Sequence, residues 1–267
     1  MPVWSLYLLS AAGYAALAAW LWPGRRAGGA TPLTRLLPLA PFVLHLALLR
    51  QDVLGGLGVD LGFASTLSAI AALTVLVYGL ASWRYPLEGL QGFVLAFAGV
   101  AVLLQAVAPH GHPLPYSELP VFRVHLLMAM TAYSLFTIAA LHAVLIALAE
   151  RYLHRPVPPR LVSGLPPLLT LERLLFRLIE VGFVLLTLTL ASGVLFSEEI
   201  LGKAMPLTHK TVFGIVSWLI FGALLLGRRV YGWRGRVAIY WTLAGFVSLL
   251  LAYVGVQFVL EIILHRG

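Results

Sequence analysis

The chain carries eight histidines and no cysteine, so transition-metal chemistry falls first to imidazole. Neutral imidazole ligates haem iron and transition metals, and it titrates near neutrality. Without thiols the chain has no thiolate metal site, iron–sulfur cluster, disulfide exchange or thioether bond to haem. A cofactor must be held non-covalently by His, Met, carboxylate or packing. Position sorts the histidines. His125 and His209 each begin an apolar run, and His45 falls in the last two turns of another. His142 stands 17 residues beyond His125, about 25 Å farther along a helix, so the two cannot share a site. His110 and His112 flank Gly111 among Pro109, Pro113, Pro115 and Pro120, a pattern for surface metal chelation or simply for a stiff exposed loop. His154 and His265 lie outside the apolar runs and read as solvated.

Cations accompany the first three histidines. Arg123 precedes His125 by two residues, Lys210 follows His209 directly, and Arg50 follows His45 by five. Two imidazoles facing each other across an iron, with cations at the rim, would match a haem and its two propionates. Phe122, Met128, Phe213 and Trp218 lie on the same runs and could flank a porphyrin. Simpler roles stay open: helix capping or interhelical hydrogen bonding for the histidines, an interfacial belt for the aromatics, and packing for Met128.

These residues need elements to hold them. The 267 residues are 61% hydrophobic and 10% charged, with mean hydropathy +0.95, more apolar surface than a water-soluble core can hide. In lipid the backbone must satisfy itself, and apolar runs of about 20 residues select helices over barrel strands. The expected fold is all-α: a bundle of about eight transmembrane helices forming a single polytopic domain over 1–267. Spans fall near 3–22, 34–50, 63–82, 89–107, 122–149, 176–196, 209–227 and 237–260.

Charge orients them. The formal charge of +8 sits in short loops, as the positive-inside rule describes, and not on a nucleic-acid-binding face. Thirteen of the 18 basic residues lie in the odd-numbered loops, and Arg50, Arg123, Lys203, Lys210 and Arg266 make up the rest. The odd loops are therefore expected in the cytoplasm and both termini outside. That places His125, His209 and His45 at one outer depth, on three separate helices. The first run, Val3 to Trp22, is followed by Pro23-Gly24-Arg25-Arg26, the reverse of a secretory signal's charge order, and reads as a retained helix.

Prolines 156, 158, 159, 166 and 167 forbid a continuous helix across the longest connection, 151–170, expected in the cytoplasm. Residues 168–177 after it mix apolar and charged side chains at helical spacing, either as an interfacial helix or as an extension of the sixth span. The chain lacks a phosphate-binding glycine loop, an HExxH helix, a nucleophile elbow, paired carboxylates deep in a span and an internal repeat. These absences argue against enzymes of those classes, ion pumps and inverted-repeat transporters. Ser192-Gly193 reads as small-residue helix packing.

Residues 123–136 (RVHLLMAMTAYSLF), 171–177 (LERLLFR), 190–193 (LASG) and 208–212 (THKTV) resemble the cytochrome c assembly protein superfamily, the haem-handling proteins of bacterial inner membranes. Ser217-Trp218-Leu219, Gly232-Trp233-Arg234-Gly235-Arg236 and 252–261 extend the likeness, which is greatest to the YpjD-like branch. The resemblance implies a bundle that presents haem at its outer face through histidines. It implies that His125 is the first ligand, and it carries ligand roles also to His209 and His45. Where better understood members have a tryptophan-rich segment, residues 196–206 contain no Trp.

The expectation is a haem-binding or haem-handling inner-membrane protein of cytochrome c assembly, not an enzyme, holding non-covalent b-type haem. Its partners would be the lipid bilayer, haem and another membrane or periplasmic biogenesis protein. The rival readings are a small-solute or ion transport accessory and a ligand-free membrane scaffold.

Overall fold

The structure, a computed structural model, describes residues 3–22, 32–54, 59, 61–85, 89–108, 114, 117–152, 165, 167–201, 208–259 and 263. Among the described residues there is no strand. The helices are α1 (Val3–Trp20), α2 (Pro32–Leu36), α3 (Leu39–Leu54), α4 (Phe63–Ala81), α5 (Gln91–Val107), α6 (Pro120–Tyr152), α7 (Leu168–Leu201), α8 (His209–Tyr231) and α9 (Arg236–Leu250). A π-helical turn, Leu251–Gly255, carries α9 on to Phe258. Seven of the described helical stretches are long and apolar enough to cross a membrane. The helix α5, with 17 residues, falls at the short end of the roughly 17–25 that a span needs.

Local chemistry sets the helix ends. Pro38 interrupts the second span because it has no N–H to donate, which separates the short α2 from α3. Pro120 occupies the first turn of α6, where a missing N–H costs nothing. Thr208 caps α8 by accepting from the Thr211 N–H at 3.4 Å. The tight turn from α8 into α9 uses Gly232 and Gly235 at φ +68° and +56°, which glycine adopts without a Cβ clash. Glu172 accepts from the Gly235 N–H at 2.8 Å, and Arg228 donates to the Trp233 carbonyl at 3.1 Å.

Residues 168–177, open in the sequence to two readings, are the opening turns of the continuous helix α7. They are not a separate interfacial helix. Phe176, Leu171 and Leu175 are buried there, so packing against the bundle carries the helix through Glu172, Arg173 and Arg177.

Two packed groups result. In the first, α1, α3, α4 and α5 bury Tyr14, Leu48, Val75, Leu95 and Val102. Its polar residues are paired across helices. The Tyr7 hydroxyl and Gln105 Nε2 (2.8 Å) both donate to the Asp52 carboxylate. In the second group, α6, α7, α8 and α9 meet around a stack of Phe136 on Phe221, with ring centroids 3.9 Å apart and planes at 16°.

Glycines on the two other helices make room for that stack. A Cβ on Gly182 of α7 would stand 3.0 Å from the Phe136 ring, and one on Gly245 of α9 2.8 Å from the Phe221 ring. Phe136, Phe221, Gly182 and Gly245 thus form one layer across four helices. The Ser134 hydroxyl of α6, which shares its proton between the Met130 carbonyl at 2.8 Å and the Ile70 carbonyl of α4 at 3.2 Å, joins the two groups. At the far end Tyr253 and Gln257 donate to the Leu61 carbonyl at 3.3 and 3.4 Å.

Candidate functional site

His125 lies in the second turn of α6, half-buried, and its Nδ1 is 2.8 Å from the Ser192 hydroxyl of α7. Ser192 has one proton to give, and it donates that proton to the Thr189 carbonyl at 3.0 Å. With that proton on Thr189 the oxygen accepts from the imidazole, the arrangement in which Nδ1 carries the histidine proton and Nε2 the lone pair. This is the tautomer in which Nε2 can ligate a metal, with Nδ1–H oriented by a second residue. Gly193 runs beside the same ring: a Cβ there would stand 3.6 Å from His125 Cε1, an ordinary contact. Phe122 is tilted over His125 with centroids 6.4 Å apart.

The aromatic layer sets the depth of the site. His125 precedes Phe136 by 11 residues and His209 precedes Phe221 by 12, about 16 and 18 Å respectively along α6 and α8. The two histidines therefore match in depth to within about 2 Å. They differ in direction. Eleven residues are close to three helical turns, which puts His125 on the face of α6 that carries Phe136, whereas twelve leave His209 about a third of a turn away from the Phe221 face. His209 is accordingly exposed, and Lys210 stands on the Phe221 side. Residue counting thus gives the two imidazoles similar depths, with His209 exposed and off the Phe221 face of α8.

The two basic residues are engaged locally. Arg123 donates through Nε to the Ser117 carbonyl at 2.8 Å and pairs with Glu118 at 3.0 Å, with both charged side chains largely in solvent. The Lys210 ammonium lies 4.6 Å above the Tyr253 ring in the π-helical turn.

His45 departs from its expected position. Helix α3 continues to Leu54, nine residues past His45, so the imidazole lies about 13 Å below the helix end and not in its last two turns. It is fully buried, at 0% exposure. The Tyr14 hydroxyl is 3.2 Å from its Nδ1 and the Ser68 hydroxyl 2.7 Å from its Nε2. With both ring nitrogens held by α1 and α4, His45 is a polar tie within the first helix group.

His142 is also buried, and its Nε2 donates to the Leu171 carbonyl of α7 at 2.9 Å. Trp218 donates to the Thr187 hydroxyl at 2.9 Å and stacks on Phe183 at 5.6 Å, so it packs against α7. His110, His112, His154, His265 and residues 202–207 of the Trp-free segment lie outside the described residues. Among the described residues no three His, Asp or Glu side chains cluster as a metal site; a haem iron needs one or two axial protein ligands.

Sequence reasoning passed over Ser192, reading it as packing. The signal was its place one residue from Gly193 in a run resembling the family, but its partner was set by how α6 and α7 face each other.

The comparisons agree with this architecture. The profile of the family described as Cytochrome C assembly protein matches residues 35–264. Inner membrane protein YpjD of Escherichia coli (strain K12) is 30% identical over 267 residues, covering 98% of this chain and 100% of that protein. Two proteins named cytochrome c biogenesis protein CcsA match shorter stretches. The one from Prochlorococcus marinus (strain MIT 9515) is 40% identical over 88 residues, 33% of this chain and 28% of that protein. The one from Gloeobacter violaceus is 35% identical over 92 residues, 34% of this chain and 27% of that protein. No solved structure matches. With the family profile spanning most of the chain and a full-length relative in the inner membrane, the chain belongs to the cytochrome c assembly protein family, in its YpjD-like branch, and is a multi-pass inner-membrane protein.

Proposed function

We propose that this protein handles haem in cytochrome c assembly, with His125 Nε2 as an iron ligand. The hydrogen bond from His125 Nδ1 to Ser192, whose own proton goes to Thr189, carries the reading. It supplies the ligating tautomer together with the orienting partner that metal-binding imidazoles use. A role in cytochrome c biogenesis is in keeping with the matching family and with the names of the CcsA relatives.

For His209 to be the second ligand, its side chain must swing from the outward-facing side of α8 toward His125. It is exposed at the first residue of α8 and matched in depth to His125, so it reaches a haem that enters from the outer edge of the bundle. A haem deep on the bundle axis would leave it behind. Arg123 serves a propionate by exchanging Glu118, because an exposed ion pair is worth only about 0–1 kcal/mol. Lys210 serves the other from its place over Tyr253. Haem would be held without a covalent bond, since the chain has no cysteine. The protein makes no bonds itself: attachment requires the thiols of a client, which makes another membrane or periplasmic biogenesis protein the partner.

The test is the visible spectrum of the full-length protein in detergent, as purified and after titration with haem. The expected result is a Soret band with resolved visible bands, lost in His125→Ala. No saturable change on haem addition, or an unchanged spectrum in His125→Ala, would overturn the assignment.

A further inference from the structure

A cavity of about 190 Å³ lies between α3 and α4, at the end of the bundle where α2 meets α3. Its walls are Phe42, Val75 and Leu95, and Gly79 leaves it open: a Cβ at that position would meet no atom within 4 Å. The volume falls below the roughly 300 Å³ at which pockets enclose a whole small molecule, so the slot fits part of a chain. Leu76 and Leu80 beside it are exposed, as are Leu36 and Leu39, so the slot opens on the surface that faces lipid.

One polar group at its mouth is left over. Gln91 donates to the Thr34 carbonyl at 3.1 Å and Ser82 to the Gly79 carbonyl at 2.7 Å. Arg35, with its guanidinium 5.6 Å from the Trp83 ring centre, keeps a buried Nε that has no hydrogen-bond partner among the described residues. A buried unpaired donor on a cation costs free energy unless a ligand accepts from it. None of the described lining residues is acidic, and exposed Arg84 follows Trp83. Among the described residues this mouth offers no anionic acceptor oxygen, and a planar guanidinium pairs with phosphate through two N–H groups.

The geometry points to a binding site for an anionic glycerophospholipid, its phosphate on Arg35 and the upper part of one acyl chain in the slot past Gly79. The basic loop asymmetry puts this mouth at the cytoplasmic surface, where basic pockets between spans meet anionic headgroups. The site is built by residues 35–95, none of them on α6 or α7, and is independent of haem.

Native mass spectrometry of the full-length protein in detergent, with added phosphatidylglycerol or phosphatidylethanolamine of equal chain length, tests it. Phosphatidylglycerol should be retained in preference to phosphatidylethanolamine. Arg35→Gln should weaken retention about fivefold, the effect of one basic residue near the surface. Gly79→Leu, which fills the slot and suits a helix better than glycine, should weaken it independently and decides the matter if Arg35→Gln is poorly folded. Inorganic phosphate in millimolar excess should not displace the lipid. Equal retention of the two lipids, wild-type retention by a folded variant of either kind, or displacement by phosphate would each overturn the proposal.

Discussion

His125 and Ser192, 67 residues apart in sequence, meet at 2.8 Å between α6 and α7; when the serine gives its proton to Thr189 at 3.0 Å, the histidine is the donor of that bond. The direction of the bond matters more than its length. A histidine that donates here keeps its proton on Nδ1 and has Nε2 as its basic nitrogen.

Ser192→Ala should therefore weaken haem binding by about 10–100-fold, the usual effect of removing an orienting partner from a ligating histidine. Ser192→Thr, which keeps the hydroxyl, should restore most of the affinity. Haem titration followed at the Soret band measures both. Wild-type affinity in Ser192→Ala would remove the serine from the site.

His209→Ala and His45→Ala should part company. The first removes an exposed side chain and should alter the haem spectrum while leaving thermal unfolding nearly unchanged. The second leaves the buried Tyr14 and Ser68 hydroxyls without their imidazole, a loss of about 2–5 kcal/mol. It should lower the unfolding temperature in detergent. A spectral change in a stable His45→Ala protein would reopen that residue as a ligand.

The aromatic layer predicts a contrast among glycines. Gly245→Ala places a Cβ 2.8 Å from the Phe221 ring and Gly182→Ala one 3.0 Å from the Phe136 ring, so each should destabilise by about 1–3 kcal/mol through overpacking. Gly193→Ala, with 3.6 Å to His125, should be close to neutral. Denaturant unfolding in detergent distinguishes them, and equal stability across the three would mean that the helices move apart freely at that layer.

Orientation is open to direct labelling because the chain has no cysteine background. Single cysteines at Leu169 and Tyr231, both well exposed, should resist a membrane-impermeant maleimide added outside intact cells. One at exposed Val121 should react. Strong external labelling at Leu169 would reverse the topology.

Composition and apolar run length by themselves determined an all-helical membrane bundle, because in lipid each span must be long enough to cross and must satisfy its own backbone. Spacing along the chain also ordered the histidines by depth: at a fixed rise per residue, the 11 residues from His125 to Phe136 and the 12 from His209 to Phe221 can be counted without coordinates. The neighbours of each helix face could not be counted. His45 resembled a rim ligand until the length of α3 and the approach of Tyr14 and Ser68 buried it. Ser192 resembled packing until α7 turned it onto His125. His209 keeps its depth, but the phase of α8 turns it outward. Depth is a one-dimensional property that the chain carries locally. Facing is decided by close-packed contacts among distant helices, such as the seating of Phe136 and Phe221 against Gly182 and Gly245, and those contacts exist only in the folded bundle.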